Sequence, residues 1–184
     1  MTSPHAQARK AITDALSNAT YGWNAKYPTI AATYSAPVAN FALDFTSSSR
    51  NVFYGQLAGF NDLDLTQLDQ YQCVAIYTTS AVNQGLQRPR NFSGIVVARV
   101  DWMLSYRGKR GTATGIEANN TEAPADAIDE CMHQIFSVHL GKDVALPSGV
   151  VWARQMACDR SELILEDDGF SQLIRYELVF EVHI

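Results

Sequence analysis

One segment of the sequence carries acidic and histidine side chains at the spacing of a metal site. Glu130 and His133 form an E-x-x-H pair, with which di-iron helix bundles direct two ligands at one metal. Those centres need a second E-x-x-H and further glutamates from other helices, and the sequence lacks a second such pair. His139 lies six residues beyond His133 and so does not share its helical face. We therefore predict a solvated helix face, with no metal and no cofactor.

No motif indicates nucleophilic or phosphoryl chemistry. A nucleophile needs a base and an orienting group beside it, but there is no G-x-S-x-G elbow and no histidine in a nucleophile motif. The phosphate-binding patterns G-x-x-x-x-G-K-[ST] and G-x-G-x-x-G are also missing. Helix N-termini and turns explain most of the acidic residues that stand close together: Asp64, Asp69, Asp126, Asp129, Glu130, Asp167 and Asp168. We predict no catalytic residue and no enzyme.

The one dense basic cluster is the candidate contact site. Arg107, Lys109 and Arg110 lie in a glycine-flanked stretch that follows a predicted long strand. An exposed turn is the plainer interpretation, and a contact to an acidic partner or to nucleic acid passing through a lumen is the functional one. Trp23, Trp102 and Trp152 are expected to anchor a core or an interface.

Composition limits the classes of protein that fit. The chain has 184 residues, of which 47% are hydrophobic and 18% charged, which predicts one globular domain over residues 1–184. A net charge of -5 argues against a broad basic surface that grips nucleic acid, but it suits a lumen that DNA passes without binding. No stretch reaches the ~20 apolar residues of a membrane span. No signal peptide is predicted, and three scattered cysteines fit a reducing cytosol.

Two helices are predicted. Ser3 is a candidate N-cap followed by Pro4, and a helix should run from there to about Tyr21–Gly22. Its apolar residues recur at helical spacing: Ala8, Ile12, Ala15, Leu16 and Ala19. The second helix should begin at Pro124 to Asp126 and end at Gly141, with an apolar stripe of Ile128, Cys131, Met132, Ile135 and Phe136.

Strand patterns dominate the rest of the chain. Gln72–Thr79 is a predicted strand, followed by a loop from Ser80 to Asn91 and a long strand at Phe92–Arg107. Sixteen residues reach about 50 Å, so this strand should bend or project, with edge groups that another subunit would cover. Weaker strand signals lie at Ala39–Phe45 and Asn51–Leu57, and 61–70 is a loop or a helical turn.

The last part of the chain predicts a β-hairpin. Val150–Cys158 and Leu163–Glu166 read as strands, Asp168–Gly169 as a turn, and Phe170–Ile184 as a strand that alternates apolar and polar residues. Gln172 is the only polar residue on its apolar face. The predicted fold is therefore α+β, a mixed or antiparallel sheet with two main helices on one face and a long projecting hairpin.

Four segments, in this order, resemble the tail terminators of long-tailed, non-contractile phages. They are the alanine-rich first helix, the strand Gly94–Trp102, the helix Asp126–Met132 and the stretch Asp168–Val182. The resemblance implies an α+β subunit of a hexameric ring that caps the tail tube and meets a head-completion or neck protein, in a virion made in the host cytoplasm. Genomic DNA would pass through the ring. The family supplies no catalytic residues, and the long segment between Tyr21 and Gln70 departs from it.

Other functions remain open from sequence alone. A tail tube, neck or head–tail connector protein of the same particle would share these patterns. A small-ligand-binding module or enzyme would hide its site between Thr29 and Gln70. A bacterial adaptor unrelated to phage is the third alternative.

Overall fold

The computed structural model describes residues 3–36, 38, 41–46, 51–55, 72–83, 92–107, 122–161, 164–166 and 169–184. Within these ranges the chain forms three α-helices, one π-helical segment and a six-stranded sheet, and the predicted α+β class is confirmed. None of the helices described is long and apolar enough to cross a membrane.

The sheet is mixed and has its longest strands inside. Its strands are β1 (Val52–Phe53), β2 (Gln72–Asn83), β3 (Ser93–Arg107), β4 (Val150–Arg160), β5 (Ile164–Glu166) and β6 (Gly169–His183). They lie in the order β1-β2-β3-β6-β4, with β5 pairing the start of β6. β1 is parallel to β2, and every other pair is antiparallel. The predicted loop from Ser80 begins later, because β2 continues to Asn83.

The pairing of β3 with β6 spans fifteen residues of each strand. It runs from Ser93 opposite His183 to Arg107 opposite Gly169, and β2 pairs the other side of β3. β3 is therefore an inner strand, and the unpaired edge expected for it is not found. A projecting hairpin is not confirmed either, since each residue of β3 has a partner on β6. At Gly94 the neighbouring strand comes so close that a Cβ would lie 2.0 Å from the carbonyl oxygen of Val82.

Alternation along β3 and β6 divides the sheet into two faces, as predicted. The side chains of one face are 0–1% exposed: Val96, Ala98, Val100, Trp102 and Leu104 on β3, and Ile174, Tyr176, Leu178, Phe180 and Val182 on β6. Gln172, the polar exception, is also buried, and its Nε2 donates a hydrogen bond to the Ser161 carbonyl at 3.1 Å. That bond removes the cost of burying the amide.

The helices cover this buried face. α1 (Pro4–Leu16) starts at the predicted cap, where Ser3 Oγ accepts a hydrogen bond from the Ala6 amide, and it ends before Ala19. α3 (Glu122–His133) begins slightly earlier than predicted and continues into the π-helical segment Gln134–His139. The Leu140 amide bonds the Ile135 carbonyl five residues back, so the helical path ends near the expected Gly141.

A third helix, α2 (Trp23–Tyr34), was not predicted. Pro28 indicated a helix end, because an interior proline removes one backbone hydrogen bond. Packing outweighs that loss here, since Trp23, Tyr27, Ile30 and Ala31 are all buried along one stripe. The intrinsic helix propensity of the residues predicts helix formation poorly where a helix buries this much aromatic surface.

An aromatic stack joins α2 to the sheet. The Trp23 ring lies 4.1 Å from that of Trp102 on β3 and 4.4 Å from that of Tyr27, and Tyr27 stacks on Phe41 at 5.0 Å (centroid distances). Trp23 Nε1 also donates a hydrogen bond to the Phe41 carbonyl at 2.6 Å. Phe41 belongs to the predicted strand Ala39–Phe45, but residues 41–45 form no strand, because side chains of α2 bind this backbone. Asn24 bonds both the amide and the carbonyl of Leu43.

Three other predictions lie partly outside the described residues. Asn51–Leu57 contains only the two-residue strand β1, and residues 56 and 57 are outside. The loop or turn at 61–70 and the turn residue Asp168 are also outside. Of the hairpin predicted between Leu163 and Gly169, the structure describes β5, which pairs antiparallel with the start of β6.

Removal of Phe180–Ile184 should unfold the protein. The deletion takes Phe180 and Val182, both 0% exposed, and the two backbone hydrogen bonds between Phe92 and Ile184. Each buried apolar side chain contributes about 1.5–3 kcal/mol, against a typical total of about 5–15 kcal/mol. Loss of the cooperative urea transition, followed by circular dichroism, is the expected result.

The control for this deletion is the pair of substitutions Glu181→Ser and His183→Ser. Their side chains form an exposed ion pair worth at most about 1 kcal/mol, so the full-length variant should unfold near the wild-type midpoint. A truncated chain with an unchanged transition would contradict the buried role of the last strand.

Candidate functional site

The sheet face opposite the helices is the first candidate surface. Its charged side chains form pairs between β3 and β6: Arg99 binds Glu177, and Arg175 binds Asp101. Arg175 uses Nε and Nη2 on the two carboxylate oxygens of Asp101, at 2.9 and 2.8 Å, and Tyr77 donates its hydroxyl to the same carboxylate at 2.8 Å. A bidentate pair of this kind holds both side chains in one geometry.

These pairs perturb two ionisable groups. The hydrogen bonds from Arg175 to Asp101 raise the pKa of the guanidinium above its usual value. Burial raises the pKa of Tyr77, and the hydrogen bond to Asp101 raises it further. Asp101 is only 3% exposed. Asp101 and Glu177 are therefore both held by arginines at the centre of this face.

One end of the same face is apolar and solvent-exposed. We call it the apolar patch, defined as Val82, Ile95, Val97, Val151, Trp152 and Val179. Val82 pairs with Ile95 and Val97 pairs with Val179, so these four side chains occupy two neighbouring levels of β2, β3 and β6. Glu181 of β6 stands between Ile95 and Trp152, which lies at the edge of the patch on β4. Val82, Val151 and Trp152 are 57%, 60% and 42% exposed. Clustered exposed apolar residues of this kind mark contact surfaces in soluble proteins.

An acidic groove forms the second candidate site, on the helix side of β4. It is a cavity of about 370 Å³, lined by Tyr34, Asp126, Asp129, Glu130, His133, Gln155, Cys158 and Tyr176. Arg160 of β4 binds Asp126 at 2.8 Å, Glu122 at 3.1 Å and Asp129. Asp129 also accepts hydrogen bonds from the Tyr176 hydroxyl and from Cys158 Sγ. One guanidinium therefore ties three carboxylates of α3 to the edge of the sheet.

The groove holds ionisable groups whose pKa values are shifted from their usual range. Burial raises the pKa of Cys158 to about 12, and its bond to Asp129 acts in the same direction, so the thiol is protonated at neutral pH and is a poor nucleophile. Burial also raises the pKa of Tyr176. Burial lowers the pKa of Arg160, but its hydrogen bonds to Asp126 and Asp129 outweigh that effect and raise it. Asp126 and Asp129 are thus bound by the Arg160 guanidinium, whereas the Glu130 carboxylate accepts a hydrogen bond from Gln134.

Glu130 and His133 both line the groove, but they do not form a ligand pair. Glu130 accepts a hydrogen bond from Gln134 Nε2 at 2.8 Å, and His133 is exposed. His139 binds Asp143 at 2.8 Å, away from both. Among the residues that the structure describes, no three histidine, cysteine or acidic side chains are arranged to hold a metal ion.

The basic residues selected from sequence are placed only in part. Arg107 is the last residue of β3, opposite Gly169, whereas Lys109 and Arg110 lie outside the described residues. Their role in partner contact stays a prediction. Arg160 was not predicted to belong to a site, although Glu122, Asp126 and Asp129 recur at helical spacing, where a nearby cation relieves the repulsion between like charges.

No family model and no curated protein matches the chain. Function is therefore inferred from the two surfaces above.

Replacement of Arg160 by methionine should destabilise the protein by about 1–2 kcal/mol. The change leaves the partly buried carboxylates of Asp126 and Asp129 without their cation, and both groups are open enough to water to limit the loss. The urea midpoint of Arg160→Met should fall, while that of Lys142→Met, which changes an exposed residue without an ion pair, should stay within about 0.5 kcal/mol. Equal midpoints for the two variants would contradict the linking role of Arg160.

Proposed function

We propose that the chain is a structural subunit that acts by binding copies of itself and neighbouring proteins, and that it performs no catalysis. The observation that carries this proposal is the apolar patch, because Val82, Val151 and Trp152 expose large apolar side chains at one end of the sheet face on which the described residues place no helix. The groove and the ion pairs of the sheet support it, since their acidic side chains are held by arginines. Tryptophans such as Trp152 are enriched among the few residues that supply most of the energy of protein contacts.

The specific assembly that we propose is the ring of a phage tail terminator. The strand and helix segments that carry this resemblance correspond to much of β3, α3 and β6. On this proposal about six copies form a ring that caps the tail tube, stops its growth and binds a head-completion or neck protein. The protein then works in the virion after synthesis in the host cytoplasm. Tail tube, neck and connector roles in the same particle are the nearest alternatives.

Electrostatics are compatible with DNA passing through such a ring. The chain has a net charge of -5, and Arg99 and Arg175 of the helix-free face are neutralised by Glu177 and Asp101. Paired cations contribute little to the counterion release that gives tight binding to DNA, which leaves Arg154 on β4 as an unpaired cation of the described part of this face. A ring of this composition therefore favours passage of DNA over retention.

Substitution of the apolar patch should prevent ring formation. The double variant Val82→Ser with Trp152→Ser removes two exposed anchors, so it should no longer form a ring of about six subunits on assembled tail tubes, at an unchanged melting temperature. Tyr54→Ser is the matched control, since Tyr54 is 56% exposed but lies beside β1. Negative-stain images should show rings for wild type and control only. Tubes would favour a tail tube protein, and a wild-type monomer that binds no tail tube would contradict the proposal.

Charge reversal of the basic cluster should weaken partner binding without unfolding the subunit. Arg107, Lys109 and Arg110 changed together to glutamate would repel an acidic partner surface, and residues of the exposed turn predicted from sequence would carry little of the folding free energy. Binding to assembled tail tubes, measured by co-sedimentation, should fall at least about tenfold at an unchanged melting temperature. A large drop in melting temperature would instead assign these residues a structural role.

A further inference from the structure

The edge strand β4 carries two opposite charges that have no partner. Arg154 and Asp159 are both exposed, and within the described part of the chain neither forms a hydrogen bond or an ion pair. This separates them from Arg99 and Arg175 on the same face, which are paired with Glu177 and Asp101. An exposed edge strand that carries an unpaired cation and an unpaired anion can bind a partner whose anion lies opposite Arg154 and whose cation lies opposite Asp159.

A bulge in β4 is what brings Arg154 and Asp159 to the same face. They are five positions apart, and in a regular strand an odd separation places two side chains on opposite faces. The register shift between Gln155 and Ala157 adds one residue, so Arg154 lies beside Val179 and Asp159 beside Arg175, both on the helix-free face. The bulge also marks the midpoint between the two charges.

We propose that two copies of this chain pair through β4 around a two-fold axis that passes between Met156 and Ala157. Antiparallel apposition then sets Arg154 of each copy opposite Asp159 of the other, so that the contact is self-complementary in charge. Ala157, exposed and small, lies at the axis and allows close approach. The bulges interrupt the outer edge of β4, and side chains carry the contact instead of a continuous strand ladder.

The same symmetry supplies an apolar contact at each end. Trp152 of one copy falls over Ser161 of the other, and the Ser161 amide is hydrogen-bonded to the Leu173 carbonyl at 2.8 Å. Leu173 is half-buried on the helix-free face and offers an apolar side chain to the indole. The two-fold contact thus buries two tryptophans and two ion pairs at once.

The pair goes beyond the proposed ring and competes with it. A two-fold contact closes at two copies, whereas a six-membered ring is closed by a head-to-tail contact. Trp152 belongs both to the apolar patch and to the β4 contact. Free subunits paired through β4 therefore have one anchor of the ring surface covered, and ring formation requires the pair to separate.

A charge swap tests the pairing. Sedimentation equilibrium should give a dimer for the free wild-type subunit, and Arg154→Asp or Asp159→Arg alone should raise its dissociation constant at least about tenfold, because each places like charges opposite one another. The double variant Arg154→Asp with Asp159→Arg restores the two opposite pairs and should return to within about threefold of wild type. Lys142→Asp is the control for Arg154→Asp, since it makes the same change of net charge at an exposed position away from β4. Raising the salt from about 0.05 to 0.5 M should also weaken the wild-type dimer.

The possible failures separate this pairing from the ring. A free subunit that is monomeric at about 0.1 mM, or a dimer that tolerates both single reversals, would overturn the β4 contact, and so would a double variant as weak as the singles. The ring is assayed separately by imaging Val82→Ser alone, because Val82 lies on β2 and takes no part in the β4 contact, whereas Trp152 belongs to both. If rings persist in Arg154→Asp while its dimer is lost, both inferences are supported. If Arg154→Asp abolishes the rings as well, the proposal that the pair competes with the ring is wrong.

Discussion

The antiparallel ladder between β3 and β6 fixes the position of every other element. Fifteen residues of each strand pair without a register shift, so the pleat assigns each side chain to one of two faces along the whole length. β2 and β4 are added on either side, and their bulges are accommodated because the centre is regular. Trp102 and Tyr176 then face the helices, while Arg99 and Arg175 face the other side.

The parts of the fold that could be predicted are those in which local pattern and final packing agree. The alternation of β3 and β6, the cap at Ser3 and the apolar stripe of α3 are such cases. The helix α2 is the opposite case, because its stability comes from the stack of Trp23 on Trp102, 79 positions away in sequence. No local rule detects a contact of that range, and the proline in α2 indicated the wrong structure.

The candidate surfaces were less predictable than the fold for a related reason. The acidic stripe on α3 is visible at helical spacing, but the cation that completes it, Arg160, comes from β4. On β4 itself the two bulges shift the two-residue period, so that Val150 is buried while Trp152 points to the other face. A single inserted residue of this kind reverses the faces of all positions beyond it, and period-based analysis assumes that no such residue exists.

The bulges also decide how this sheet can associate. Uninterrupted edge strands pair with the edges of other sheets, and natural proteins block this with bulges and short strands. Here the long strands are internal, the edge β4 is bulged twice, and β1 has two residues. Association by extending the sheet is therefore disfavoured at β4. What remains available is side-chain contact, for which the same bulges aim Trp152, Arg154 and Asp159 outward on one face. The bulges that block nonspecific strand pairing thus also position the side chains of the proposed β4 contact.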